Sequence, residues 1–288
     1  MTTPQLKSVQ CLSPAGLHYM AYREWGDPHN PKVLVCVHGL TRVSNDFDAL
    51  ARNLCDAYRV VCPDVVGRGR SDWLKDPRFY TVPQYVSDMV TLLARLNAET
   101  VDWFGTSMGG LIGMGLASLS DTPVRKLLLN DVGPVLNPAA IARIGDYLGR
   151  PVRFASFDEA MQYIIAISIT FGPHSDAEWR KLSEDVLRQD KDGHWILHYD
   201  AGLAVPFKAA TPENAERDAA VLQATYDAIR CETLVVRGAQ SDLLSREVAQ
   251  AMTQRGPKAK LVEVPGVGHA PTFLHEDQIA IAREFFLG

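Results

Sequence analysis

Gly105-Thr106-Ser107-Met108-Gly109-Gly110 is the stretch whose reading decides the fold. An apolar run, Val101-Asp102-Trp103-Phe104, leads into it, and the small-residue run Leu111 to Ala117 leads out. The pattern predicts a strand, a sharp reversal and a helix. Such a reversal strains the backbone at Ser107 and requires side-chain-free neighbours at Gly105 and Gly109, because strand and helix pass too close for a Cβ. The hydroxyl then sits at a helix N-terminus, where unpaired N–H groups favour negative charge. A phosphate-binding loop is excluded, since no Gly-Lys-Ser/Thr follows, and the G-x-G start of a dinucleotide fingerprint is absent.

Working outward, strand-like and helical segments alternate on both sides. Leu17 to Trp25, Lys32 to Val37, Tyr58 to Cys62, Thr100 to Phe104 and Val124 to Leu129 read as strands. Asn45 to Leu54 and Thr81 to Leu96 read as amphipathic helices, the second with Val86, Met89, Val90, Leu93 and Leu96 on one face. Alternation returns with Glu232 to Arg237, a helix over Ser245 to Gln254, Lys260 to Val264 and a closing helix over Glu276 to Phe286. Apolar β-branched runs separated by helices predict an α/β fold with a mostly parallel sheet. Ligands of such sheets bind beyond the carboxyl ends of the strands.

Between these halves the rhythm changes. Ser156-Phe157-Asp158-Glu159 and Ser175-Asp176-Ala177-Glu178 fit helix-opening capping boxes, and a turn at Asp190 to Trp195 is flanked by short strands. This predicts a core of residues 1–136 and 227–288, with residues 137–226 inserted as a mainly helical cap.

Composition bounds the function. The chain has 288 residues, 47% hydrophobic and 22% charged, with a net charge of −5. That profile fits one sizeable core and offers no basic surface for nucleic acid or an anionic membrane. Five widely spaced cysteines, with no CxxC pair, suit reduced thiols in a cytoplasm and no metal site. The expectation is a cytoplasmic protein acting on a small molecule, with neither signal peptide nor membrane span.

Two further strand ends carry chemistry. Arg237-Gly238-Ala239-Gln240-Ser241-Asp242 places an acid in a loop, and Pro265-Gly266-Val267-Gly268-His269-Ala270-Pro271 places a histidine among small residues. A serine hydroxyl needs a base to take its proton, and an imidazole needs a carboxylate to fix its tautomer. Asp131, after the earlier strand, rivals Asp242 for that position. His38, Asp64 and Asp72 read as loop braces, and His275 as a surface helix cap.

Over nearly its whole length the chain resembles the α/β-hydrolase-fold enzymes. The matching pieces are the His38-Gly39 loop, Pro63-Asp64 through Gly67-Arg68-Gly69-Arg70-Ser71-Asp72, the Ser107 elbow, and the Asp242 and His269 loops. The resemblance implies Ser107 as nucleophile, His269 as base and Asp242 as its orienter. It places the oxyanion between the backbone N–H groups of Leu40 and Met108, with no metal or organic cofactor. A serine at the elbow sets the chain apart from epoxide hydrolases and haloalkane dehalogenases of this fold, which use aspartate there.

The expected activity is hydrolysis of a small to medium carboxylic ester, lactone or thioester through an acyl-enzyme. A C–C bond hydrolase of the meta-cleavage type is the alternative, although that group usually carries tryptophan where this chain has Ala270. A non-catalytic ligand receptor on the same fold is the alternative from another class.

Overall fold

A computed structural model describes residues 3–209 and 212–288. Met1, Thr2, Ala210 and Thr211, the last two within the span assigned to the cap, lie outside the described residues. The first half contains β1 (Gln5–Ser13), β2 (Gly16–Trp25), β3 (Val33–Val37), α1 (Asp48–Leu54), β4 (Arg59–Pro63), α2 (Val82–Leu96), β5 (Val101–Thr106), α3 (Met108–Ala117) and β6 (Val124–Asn130). There follow α4 (Pro138–Tyr147), α5 (Phe157–Ile167), α6 (Asp176–Glu184), β7 (Leu187–Gln189), β8 (Trp195–Leu197), α7 (Ala204–Lys208) and α8 (Pro212–Ala228). The chain closes with β9 (Glu232–Gly238), α9 (Arg246–Met252), β10 (Lys260–Val264) and α10 (Glu276–Leu287).

Eight strands form one sheet in the order β1-β2-β4-β3-β5-β6-β9-β10. β2 runs antiparallel to both its neighbours, and the pairs from β4 through β10 are parallel. Apolar neighbours along a strand face opposite sides of a sheet, and the core divides accordingly. Val33, Val35 and Val37 join one cluster with Trp103, Leu127 and Leu129. Leu34 and Cys36 join the other with Phe104 and Leu128. The compact apolar strands are thus covered on both faces, which is why they read as continuous runs rather than alternation.

Register brings the functional loops together. Val37 pairs with Gly105, Thr106 with Asn130, Asn130 with Val236, and Val264 with Gly238. The carboxyl ends of β3, β5, β6, β9 and β10 are therefore flush. Strand order reverses beside β3, whose sequence neighbours β4 and β5 lie on opposite sides of it, and a crevice opens there.

Some local expectations shift. β1 is an additional edge strand, buried at Val9, Cys11 and Ser13 and exposed at Leu6, Ser8, Gln10 and Leu12; its mixed composition hid it. In α2 the buried face is Tyr85, Met89, Leu92, Leu93 and Leu96, whereas Val90 points outward. Ser175 makes a complete capping box with Glu178. Ser156 caps the Glu159 N–H, but the Glu159 carboxylate reaches Ala155 N–H instead. The short strands flanking the Asp190 turn are β7 and β8, paired antiparallel. No helix among the described residues is long and apolar enough to cross a membrane.

Candidate active site

Ser107 occupies the reversal between β5 and α3 with φ 50° and ψ −114°, a conformation that costs a non-glycine residue energy. Packing around it leaves no alternative. A Cβ on Gly105 would run into the Gly109 carbonyl, and one on Gly109 into the Val37 carbonyl of β3. The Ser107 N–H is anchored on Asn130 O of β6 at 3.0 Å, while Ser107 O accepts from Gly110 N–H at 2.9 Å. Strand, turn and helix are thereby locked, and the hydroxyl projects from the tip.

His269 arrives from the loop after β10. Its Nε2 lies 3.0 Å from Ser107 Oγ and its Nδ1 lies 2.7 Å from a carboxylate oxygen of Asp131. Asp131 follows β6 directly, has φ 56°, and is completely buried. Its carboxylate also accepts Ser241 O–H at 2.6 Å and Gly238 N–H at 2.9 Å. A buried carboxylate is stable when donors surround it in this way. An acceptor-only aspartate fixes the proton on His269 Nδ1 and leaves Nε2 free to take one from Ser107.

Asp242, the acid expected from sequence, is not at the imidazole. It pairs with Arg143 of α4, Nε to Oδ2 at 2.9 Å, and both side chains are about two-fifths exposed. Asp131 follows the end of β6 immediately, beside β5, whereas Asp242 lies four residues past the end of β9, where the loop turns its side chain to Arg143. The β9 loop contributes Gly238 N–H and Ser241 O–H as supports for Asp131, and the next residue turns outward.

The β3 loop approaches from the other side. His38 is fully buried, and its Nε2 can only accept from Val65 N–H at 3.0 Å, so its Nδ1 donates to Gly39 O at 2.7 Å. Burial, opposed by the charge of Asp64, holds this imidazole neutral and pushes its pKa down to about 4. His38 is a brace, as are Asp64, which accepts Ser44 and Arg70 N–H, and Asp72, which accepts Tyr19 N–H. Met108 opens α3, so its N–H is among the unpaired donors of a helix's first turn. Leu40 lines the cavity beside Ser107.

Two cavities meet at Ser107 and Leu40. One, about 80 Å³, runs past His269 between Thr41, Arg143, Thr170 and Tyr199. The other, about 150 Å³, is walled by Val132, Leu136, Ile141, Leu203 and Phe207. Segment 137–209 supplies part of both walls. It is also tied to the His269 loop, because Thr170 O–H donates to His269 O at 2.5 Å and Gly268 N–H to Thr170 O at 2.7 Å. His275 does not cap a helix with its side chain; its Nε2 meets Glu178 of α6 at 3.1 Å.

The sequence model of the alpha/beta hydrolase family matches residues 34–283. The chain belongs to that family. It is a hydrolase. Over 289 aligned residues, 99% of each chain, it is 62% identical to the 3-hydroxybutyrate-oligomer hydrolase of Cupriavidus necator. An alpha/beta hydrolase from Novosphingobium aromaticivorans superposes with a TM-score of 0.84 at 34% identity, covering 100% of this chain and 99% of the other. A Rickettsia typhi protein superposes with a TM-score of 0.89 at 29% identity over 98% and 99%.

Against this hydrolase background, sequence reasoning passed over three residues. Ser241 and Gly238 hold Asp131, and their only signal was membership of the β9 loop. Arg68 is buried beneath the site, and its signal was the pair of glycines that flank it.

Proposed function

We propose that the chain is a serine esterase cleaving short oligomers of a hydroxyacid such as 3-hydroxybutyrate, through an acyl-enzyme. The observation that carries this reading is the hydrogen-bonded chain Ser107–His269–Asp131 at the meeting point of the two cavities. Ser107 Oγ attacks the ester carbonyl as His269 Nε2 takes its proton. The resulting oxyanion lies between Leu40 and Met108 N–H, and Asp131 stabilises the imidazolium. His269 then protonates the departing hydroxyl, activates water against the acyl-enzyme, and returns to its starting state when Ser107 is released.

The similarity to the Cupriavidus enzyme supports the substrate class, since an oligomer of hydroxyacids presents esters whose two sides are both short. The apolar cavity suits the acyl portion and the more polar one the departing alcohol. Residues 137–226 act as the cap over both. The five cysteines are all unbridged, which fits a reducing cytoplasm.

Intact mass after exposure to a fluorophosphonate tests the nucleophile: one adduct on wild type and none on Ser107→Ala are expected. Hydrolysis of 3-hydroxybutyrate dimer and trimer, followed by chromatography of the products, tests the substrate. An unlabelled, folded wild type would overturn the serine mechanism; labelling without oligomer cleavage would overturn the substrate class.

A further inference from the structure

The loop after β4 contains Gly67-Arg68-Gly69, and both glycines have positive φ, 89° and 53°. A Cβ on Gly67 would fall 2.6 Å from the Tyr80 ring, and one on Gly69 would fall 2.5 Å from the Asp64 carboxylate. These two hinges turn Arg68 inward, where its exposure is 0%. Among the described residues it makes no ion pair with a carboxylate. Its guanidinium donates instead to Leu40 O at 2.8 Å, Val66 O at 2.7 Å and Tyr85 Oη at 3.0 Å, and reaches Met108 Sδ at 3.2 Å. It also lies 5.0 Å from the Tyr85 ring centre and 5.9 Å from that of Tyr80.

A cation removed from water with no carboxylate in direct contact is costly, and neutral carbonyls and ring faces offset only part of that cost. Such a residue is a poor choice for stability alone. What distinguishes Arg68 is the pair of residues it joins. Leu40 lies in the loop after β3 and Met108 opens α3, and Arg68 touches both: one through its carbonyl, the other through its sulfur. These are the residues whose N–H groups the proposed function assigns to the oxyanion.

We propose that Arg68 is the positioning residue of the oxyanion site: it fixes the Leu40 and Met108 segments relative to each other and sets a buried positive charge beside them. The inference rests on the serine-esterase reading. Negative charge develops on the carbonyl oxygen only as the tetrahedral intermediate forms, so Arg68 acts on turnover rather than on substrate capture.

The test compares wild type, Arg68→Met and Arg68→Lys as full chains on p-nitrophenyl butyrate. Each is also inhibited by an aryl trifluoromethyl ketone, which forms a tetrahedral oxyanion with the serine, and by the matching methyl ketone, which only occupies the cavity. Expected for Arg68→Met is a kcat lower by about 30- to 100-fold, somewhat below the loss of a direct donor, with KM within about threefold. Affinity for the trifluoromethyl ketone falls in step with kcat, and that for the methyl ketone is unchanged. Arg68→Lys, which keeps the charge and one bond, recovers part of both. A kcat within twofold of wild type, or equal losses for the two ketones, overturns the proposal. If Arg68→Met does not fold, the same ketone comparison on Arg68→Lys decides it, with a selective loss of at least threefold required. A wild type that forms no adduct sinks the serine reading itself, whereas a normal adduct with an indifferent Arg68→Met sinks only the role of Arg68.

Discussion

Replacing Asp131 by asparagine should abolish turnover while leaving the fold, and the structure sets the scale. One carboxylate oxygen accepts His269 Nδ1–H at 2.7 Å and Ser241 O–H at 2.6 Å, and the other accepts Gly238 N–H at 2.9 Å. An amide has only one acceptor oxygen. If its NH2 faces His269, the imidazole must carry its proton on Nε2 and cannot act as base toward Ser107. If its NH2 faces Gly238, two donors confront each other in a buried site, at a cost of about 1–3 kcal/mol. Either way the negative charge that stabilises the imidazolium is gone. A triad aspartate-to-asparagine change in a serine protease lowers kcat by about 10⁴. We expect about 10³–10⁴ here, or about 4–5.5 kcal/mol of barrier. Asp242→Asn removes only the exposed pair with Arg143, which contributes about 0–1 kcal/mol, and should leave kcat within about threefold. The assay is steady-state hydrolysis of p-nitrophenyl butyrate with melting temperatures as the folding check. An Asp131→Asn enzyme retaining a tenth of wild-type kcat/KM, or an Asp242→Asn enzyme as inactive as expected for Asp131→Asn, would refute the assignment.

Two further outcomes follow from the packing and the buried histidine. Gly109→Ala drives a Cβ into the Val37 carbonyl, and since both are backbone the loss should exceed about 3 kcal/mol, whereas Gly145→Ala in α4 meets nothing within 4 Å and should gain about 0.5–1 kcal/mol; thermal melts of both variants check the contrast. His38 has its pKa lowered from 6.5 to about 4, so the unfolded chain takes up a proton that the folded one refuses. Its contribution, about 3 kcal/mol, is complete above pH 6.5 and disappears as pH falls through 4. Urea unfolding between pH 4.5 and 7.5 should show His38→Gln losing stability toward acid less steeply than wild type by up to one proton; equal slopes would refute the buried neutral state.

Much of this was legible in the chain itself. Val33 to Val37 and Leu127 to Leu129 announce strands covered on both faces, because an uninterrupted apolar run has nowhere to place a wet side. Gly105 and Gly109 announce the elbow, because strand and helix leave no room for a Cβ. His269, set among glycines after the last apolar run, announces the imidazole that meets Ser107. These signals are local, carried by residues within a few positions of one another.

The tertiary structure decided which carboxylate meets the imidazole and what supports it. Asp131 and Asp242 each follow an apolar run and look alike in sequence. The path of each loop brings the first within 2.7 Å of the imidazole and leaves the second paired with Arg143. Arg68 likewise reads as one more charge in a glycine-rich turn until the fold buries it against Leu40 and Met108. Hydrogen-bond partners separated by more than a hundred residues are set by strand adjacency and loop path. Periodicity and local motifs fix the elements and the elbow at Ser107; the paths of the loops over the sheet fix what reaches it.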